Sequence, residues 1–152
     1  MAARSAEREI VALDTSCLVA LVSAWHEHHE VTIGSLERRL RQGAKIAVAA
    51  PALVEAYSVL TRLPAPNRLS PDDAIHLLRE NFDEHESTAT LDADEYWSLL
   101  RAAPAMRVHG NRIYDAVIAA CARKAKAREL LTWNVQHFES FADRSLVVAS
   151  PA

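Results

Sequence analysis

Three carboxylates in this sequence stand where the surrounding residues do not readily explain an acid. Asp14 directly follows a short apolar run, Glu55 lies inside a helical pattern that follows Pro51, and Asp115 is the single acid in the apolar stretch 113–122. A buried carboxylate is costly unless it is paired or bound to a metal. Each acid alone is more simply structural, since acids favour helix N-termini. Three that converge are harder to explain in this way, and they would offer oxygen ligands to a cation.

The elements that would position these acids alternate between strands and helices. Short apolar runs predict strands at 9–13, 45–49, 87–91, 129–132 and 145–149. Helical periodicity and capping residues predict helices at 17–22, 28–42, 51–62, 70–82, 92–102 and 111–125. This alternation predicts an α/β fold with a parallel sheet and right-handed connections. Sites in such sheets form outside the carboxyl ends of the strands, so we expect Asp14, Thr132 and Asn134 at one edge.

Length and composition indicate one globular domain over residues 1–152. The chain has 152 residues, of which 50% are hydrophobic and 24% charged, enough to bury a core without disulfides. Residues 1–8 carry charge and no apolar run, and we expect them to form a flexible tail. The formal net charge of -3 neither supports nor excludes a nucleic-acid ligand, because a site rich in acids masks local basic surface.

The same features indicate a cytoplasmic protein. The first residues do not form a secretory signal, and no stretch approaches the roughly 20 apolar residues of a membrane-spanning helix. Cys17 and Cys121 lie among apolar neighbours without metal-like spacing, which predicts buried free thiols in a reducing compartment.

Four short motifs, taken in order and spacing, resemble a known family. They are Asp14-Thr15-Ser16 after a strand, Val54-Glu55 in a helix, Ile113-Tyr114-Asp115-Ala116, and Leu131-Thr132-Trp133-Asn134 followed by His137-Phe138. Together they resemble PIN-domain ribonucleases, and most closely the VapC-type toxins of bacterial toxin–antitoxin pairs. The resemblance extends from about residue 10 to residue 148.

The resemblance implies a PIN-like three-layer fold, in which helices flank a central, mostly parallel sheet. It also implies cleavage of RNA, a Mg²⁺ or Mn²⁺ cofactor, neutralisation by a cognate antitoxin and a homodimer. It assigns metal binding to Asp14, Glu55 and Asp115, and a supporting catalytic role to Asn134. Ser16 and Thr132 are expected to support the acid cluster by hydrogen bonding.

The chemistry that this resemblance implies is hydrolysis. Mg²⁺ takes one or two direct carboxylates and keeps several waters, and it can lower the pKa of a bound water. We therefore expect in-line attack by a metal-activated water, which leaves a 5′-phosphate and a 3′-hydroxyl. Many PIN domains carry a fourth acid where this chain has Asn134. An amide offers an oxygen without a charge, which puts a tightly held second metal in doubt.

Substrate contacts are harder to find in the sequence. Arg62 and Arg112 each share a helix with a site acid, so they are candidates to hold RNA phosphates without reading sequence. Other basic residues are expected on solvated faces. Trp133 and Trp97 are candidates to stack bases, although packing is the more ordinary role for Trp97.

Three other interpretations stay open at this stage. His26 and His29 are three residues apart and suggest zinc, but further ligands are missing and a solvated helix start is favoured. A phosphatase or receiver-like domain would also place an Asp after the first strand. The former needs an acid where Ser16 stands, and the latter a lysine where Thr132 stands. The last alternative is a catalytically weak PIN-like module that binds RNA or protein.

Overall fold

The computed structural model of the protein describes residues 7–82 and 87–152. Its centre is a five-stranded sheet in the order β3-β2-β1-β4-β5, and every pairing in it is parallel. The strands are β1 Ile10–Leu13, β2 Lys45–Ala49, β3 Thr88–Ala89, β4 Glu129–Leu131 and β5 Val147–Ala149. The predicted α/β class, with a parallel sheet flanked by helices, is therefore confirmed.

The first strand forms the middle of the sheet. Val11 pairs with Ile46 on one side and with Glu129 on the other, and the last three residues of β1 are at most 4% exposed. A strand buried on both faces needs a continuous apolar run rather than an alternating one. The sequence before Asp14 has that run, which is why its carboxyl end lies deep inside the protein.

Among the residues that the structure describes, seven α-helices connect the strands. They are α1 Thr15–Val22, α2 His29–Arg41, α3 Ala50–Arg62, α4 Pro71–Phe82, α5 Ala93–Ala102, α6 Arg112–Lys124 and α7 Val135–Phe138. Helix α1 packs against α2 and α3, α3 packs against α4, and α6 packs against β2 and α5. Among the described residues, no helix is both long and apolar enough to cross a membrane.

The first helix begins two residues earlier than predicted. It begins at Thr15 rather than at residue 17, and its N-cap is Asp14, whose side chain accepts a hydrogen bond from the Cys17 amide. Asn111 does occupy the N-cap position of α6, yet its side chain makes no capping hydrogen bond. The Asp14 carboxylate therefore both caps α1 and faces the edge of the sheet.

The carboxyl-terminal region also departs from the prediction. Helix α7 and the 3₁₀ turn Glu139–Phe141 were not predicted, because four residues are too few to show helical periodicity. Two strands are at least two residues shorter than expected, since β3 has only two residues and β5 begins at Val147. Phe138 is 2% exposed, so this short helix is fixed by burial of one aromatic ring.

Two further predictions concern the thiols and the tail. Cys17 and Cys121 are free and buried, as expected, and burial raises the pKa of both thiols. Most of the predicted tail, residues 1–6, lies outside the described residues.

An ion pair ties the second helix to the sheet. Arg39 donates to both carboxylate oxygens of Glu129, at 2.9 and 2.8 Å, and also to the Ser35 carbonyl at 3.2 Å. The Arg39 and Glu129 side chains are 17% and 24% exposed. This pair ties the last turn of α2 to the first residue of β4.

Candidate active site

A cleft of about 390 Å³ opens at the carboxyl ends of β1 and β4. Asp14 follows β1, Asn134 follows β4, Glu55 comes from α3 and Asp115 from α6, and all four line this cleft. The structure therefore brings together the three acids and the amide that the sequence singled out. Ser16 also lines the cleft, while Thr132 lies behind it and is fully buried.

Asp14 is the most enclosed of these acids, with 2% of its surface exposed. Its Oδ1 accepts hydrogen bonds from the Ser16 hydroxyl at 2.7 Å and the Cys17 amide at 3.0 Å, and its Oδ2 accepts one from the Thr132 hydroxyl at 2.5 Å. Burial raises the pKa of Asp14, and these hydrogen bonds oppose that rise because they favour the charged form. Oδ1 thus accepts two hydrogen bonds, whereas Oδ2 accepts one and keeps a lone pair for a ligand.

The two hydroxyls that hold Asp14 also hold the segment after β4. Ser16 Oγ accepts a hydrogen bond from the Trp133 amide at 2.9 Å, and Thr132 Oγ1 accepts one from the Asn134 amide at 2.9 Å. Each hydroxyl therefore donates to the acid and accepts from the backbone. The position of Asn134 relative to Asp14 depends on these two links.

Glu55 is exposed on α3 and is oriented by a residue that the sequence analysis did not single out. The Thr15 hydroxyl donates to Glu55 Oε2 at 2.9 Å across 40 residues of chain. Thr15 is the first residue of α1 and directly follows Asp14. The local signal for a role of Thr15 in orienting Glu55 is its position directly after the site acid Asp14.

Asp115 lies in the first turn of α6, and its side chain is 24% exposed. Burial raises its pKa, the electrostatic effect of the nearby His137 lowers it, and the negative charges of Glu55 and Asp14 raise it further. His137 Nδ1 lies 3.8 Å from Asp115 Oδ2. The three acids are therefore close enough to repel one another, as carboxylates do before a cation neutralises them.

The donor set fits a hard cation held partly through water. In the described part of the chain, four carboxylates line the cleft (Asp14, Glu27, Glu55 and Asp115), and neither lysine nor arginine does. No group of three or more Asp, Glu, His or Cys side chains in the described ranges is close enough to enclose an ion. Mg²⁺ does not need such a cage, since it keeps several waters and uses one or two carboxylates.

The two candidate RNA-binding arginines lie outside the cleft lining. Arg112 Nη2 donates to Ser140 Oγ at 2.7 Å and to the His137 carbonyl at 3.3 Å, so this arginine secures the turn after α7. Arg62 is exposed at the end of α3, two turns beyond Glu55. Within residues 7–82 and 87–152, its guanidinium has no hydrogen-bond or ion-pair partner.

The histidines near α2 do not form a zinc site. His29 Nδ1 lies 2.8 Å from the Ala20 carbonyl, while His26 Nδ1 accepts the amide of His28 at 3.1 Å. Yet His26, Glu27 and His28 line the cleft, which the sequence analysis did not anticipate. Trp133 also lines it, whereas Trp97 does not and is 61% exposed on α5.

Comparison with known proteins places this architecture in a family. Residues 11–142 match the PIN domain family. Ribonuclease VapC40 of Mycobacterium tuberculosis is 37% identical over 132 residues, which cover 87% of this chain and 92% of that protein. Ribonuclease VapC27 of the same organism is 34% identical over 122 residues, covering 80% of this chain and 82% of that one.

Solved structures agree on the fold. The crystal structure of VapBC2 from Rickettsia felis, bound to a DNA fragment from its promoter, has a TM-score of 0.63 at 18% identity and covers 93% of this chain and 98% of that chain. Mycobacterium tuberculosis VapC20, a sarcin–ricin loop cleaving toxin, has a TM-score of 0.63 at 15% identity, with coverage of 88% and 97%. The chain therefore belongs to the PIN-domain family and, within it, to the VapC proteins.

Proposed function

We propose that this protein is a Mg²⁺-dependent endoribonuclease, with Mn²⁺ as an alternative cofactor, and that it acts as the toxin of a toxin–antitoxin pair. The observation that carries the proposal is the cleft in which four carboxylates converge and which no described lysine or arginine lines. A polyanionic substrate can approach such a cleft only when a cation offsets the acids. The ribonuclease names of the relatives at 37% and 34% identity support the same activity.

The proposed roles follow from the contacts of each side chain. Asp14, Glu55 and Asp115 would hold the ion, and the exposed Asn134 amide would contact it or a water. The ion, when bound, would supply a Lewis acid that lowers the pKa of water and offsets charge on the phosphodiester. Ser16 and Thr132 fix Asp14 and the backbone at Asn134.

Incubation of purified protein with mixed tRNA and rRNA tests this activity. We expect discrete cuts with 5′-phosphate ends in Mg²⁺ or Mn²⁺, and none in EDTA, because four uncompensated carboxylates would repel the substrate. Protein returned from EDTA to Mg²⁺ is the control for irreversible unfolding. Folded protein that cuts RNA equally well in EDTA would contradict metal dependence. Folded protein that binds RNA but cuts it under no condition would favour the catalytically weak binding module.

The partner proposal rests on the same cleft. Solved relatives include VapBC pairs, in which a toxin is held by its antitoxin. An antitoxin segment with a basic side chain would complement the acidic cleft here and exclude RNA from it. Co-expression with the product of an adjacent small gene should yield a stable complex that does not cleave. A complex that forms equally well and still cleaves would contradict this mode of inhibition.

We also propose a homodimer, which exposed apolar side chains on two neighbouring helices support. Val54 on α3 is 72% exposed and Ile75 on α4 is 46% exposed. Apolar area of this kind is stabilised when a second surface covers it. Sedimentation of the purified chain measures the assembly, and a monomer at micromolar concentration would contradict the proposal.

The two arginines are expected to behave differently when each is replaced by alanine. Arg62→Ala should weaken RNA binding similarly for all sequences and reduce the slope of log affinity against log salt by about one, since a single phosphate contact is lost. Arg112→Ala should leave that slope unchanged and lower the free energy of unfolding by about 1 kcal/mol, since it loses its hydrogen bond to Ser140.

Salt titration of RNA affinity and thermal unfolding, run on both variants, provide the measurements. A reduced salt slope for Arg112→Ala with unchanged unfolding would show instead that Arg112 contacts the substrate.

A further inference from the structure

Four aromatic rings form a continuous row beside the acids. The ring centroids of Trp25 and His26 are 5.6 Å apart, those of His26 and His28 are 5.5 Å apart, and His28 stacks on Trp133 at 3.7 Å with an interplanar angle of 7°. We call these four rings the aromatic wall. Its last three members line the cleft, and Trp25 continues it outward with 49% of its surface exposed.

The inner end of the wall is fixed to the network that holds Asp14. Trp133 Nε1 donates to Thr32 Oγ1 at 2.9 Å, and the Thr32 hydroxyl donates to the His28 carbonyl at 2.7 Å. The Trp133 amide donates to Ser16 Oγ, which in turn donates to Asp14. A ligand on the wall would therefore be held at a defined place relative to the acids.

The outer end of the wall is free to meet a ligand. The Ser23 carbonyl accepts the His26 amide at 2.9 Å and so closes the turn that carries Trp25. In the described part of the chain, the Trp25 indole has no hydrogen-bond partner, and its one ring contact is with His26. A backbone turn thus presents an exposed indole next to His26, which lines the cleft.

The chemistry of the wall suits bases rather than phosphates. His26 Nδ1 accepts the amide of His28, so the proton of the neutral ring lies on Nε2 and can be donated to a ligand. Burial and the neighbouring His28 lower the pKa of His26, which keeps this ring neutral at pH 7. The Glu27 carboxylate lies 3.6 Å from His28 Nε2 and would repel a phosphate. The wall therefore offers ring faces and an N–H donor instead of fixed positive charge.

We propose that the aromatic wall binds an unpaired base next to the scissile phosphate, with the base stacked on Trp25 and within reach of His26 Nε2. This inference rests on the proposed ribonuclease function and assigns it a base-binding subsite beside the acids. A base inside a duplex is already stacked on both faces and cannot reach the wall, whereas a splayed base can stack on an aromatic side chain.

The test measures binding separately from cleavage. Fluorescence anisotropy in Mg²⁺ follows a short unpaired oligoribonucleotide bound to the Asp115→Asn variant, whose cleavage is expected to be strongly reduced. Adding Trp25→Ala should weaken this affinity about tenfold or more, as removal of one stacking ring does elsewhere. Trp25→Phe should restore most of the affinity, while the salt slope should stay unchanged because no phosphate contact is lost.

Two controls make the result specific to stacking. Trp97→Ala removes another exposed indole, 61% exposed against 49% for Trp25, on a helix away from the wall, and should leave affinity unchanged. An oligoribonucleotide with an abasic site at the cut should bind the two proteins that differ only in Trp25→Ala equally well, because the base that Trp25 would contact is absent. A general loss of structure in Trp25→Ala would instead weaken binding of the abasic oligoribonucleotide and change the salt slope.

The inference and the proposed function fail in different ways. Equal affinity with and without Trp25→Ala, together with Mg²⁺-dependent cleavage by the native protein, would overturn the inference alone. A loss of antitoxin binding without any loss of RNA binding would also overturn it, since the wall would then serve the protein partner. The expected loss of base-dependent binding, in a native protein that never cleaves, would leave the inference standing and remove the nuclease proposal.

Discussion

Replacing Asp115 with asparagine is expected to reduce RNA cleavage by on the order of 10³-fold. The asparagine keeps the size of the side chain but removes the charge of Asp115, whose pKa the neighbouring acids Glu55 and Asp14 raise. A cation contributes several kcal/mol to such a reaction, and about 1.4 kcal/mol corresponds to a tenfold change in rate. Single-turnover cleavage of one RNA, measured for both proteins in Mg²⁺, gives the comparison.

The same substitution should leave the fold as stable or make it more stable. The pKa of Asp115 is raised in the folded state, so its favourable contribution is complete below the unfolded pKa and is lost as pH rises through the folded value. At pH 7 the ionised carboxylate therefore opposes folding in the absence of metal. Thermal unfolding of the native protein in EDTA should show stability falling with rising pH above about 4, and the variant should lose part of that dependence.

Metal addition provides a further measurement on these two proteins. Mg²⁺ should raise the melting temperature of the native protein, because an ion that binds only the folded state stabilises it, and should raise that of the variant less. Asp94→Asn is the matched control, since Asp94 is an exposed acid in the first turn of α5 that does not line the cleft. Equal cleavage by Asp115→Asn and native protein would exclude Asp115 from the site.

Replacing Thr132 with valine is expected to affect both stability and cleavage. The side chain is fully buried, donates to Asp14 Oδ2 and accepts from the Asn134 amide. Valine fills the same space but leaves a buried carboxylate oxygen without its donor and an amide without its acceptor. We expect the free energy of unfolding to fall by about 1–3 kcal/mol. Cleavage should fall roughly 10–100-fold, as it does when the partner of a metal ligand is removed.

The dependence on Mg²⁺ separates a positioning role from general destabilisation. With Asp14 held less firmly, Thr132→Val should need more Mg²⁺ for half-maximal cleavage at a temperature where the variant is fully folded. Thr132→Ser keeps the hydroxyl and should restore the native requirement. Thr61→Val is the matched control, because the Thr61 hydroxyl donates only to carbonyls of its own helix. An unchanged Mg²⁺ requirement in Thr132→Val would assign Thr132 to the fold alone.

Local sequence patterns determined most of the elements of this protein. The apolar run before Asp14 predicted the central strand, and the periodicity after Asn111 predicted the helix that carries Asp115. Strand ends in a parallel sheet share one edge, so the convergence of Asp14 and Asn134 was predictable from these elements. The short helix α7 was not, because burial of Phe138 rather than periodicity stabilises it.

Only the tertiary structure decided which side chains meet across long separations. Asp14 contacts Thr132 across 118 residues, and Trp133 contacts Thr32 across 101 residues. The strand order places β4 beside β1 and so creates the first of these contacts. The same packing directs Arg112 toward Ser140 and away from the cleft. Periodicity and capping depend on neighbours within a few turns of chain, so the sequence by itself specified the elements and the candidate acids. The pairing of strands and the packing of helices then decided which side chains hydrogen-bond to these acids. They also decided which aromatic rings lie beside the acids.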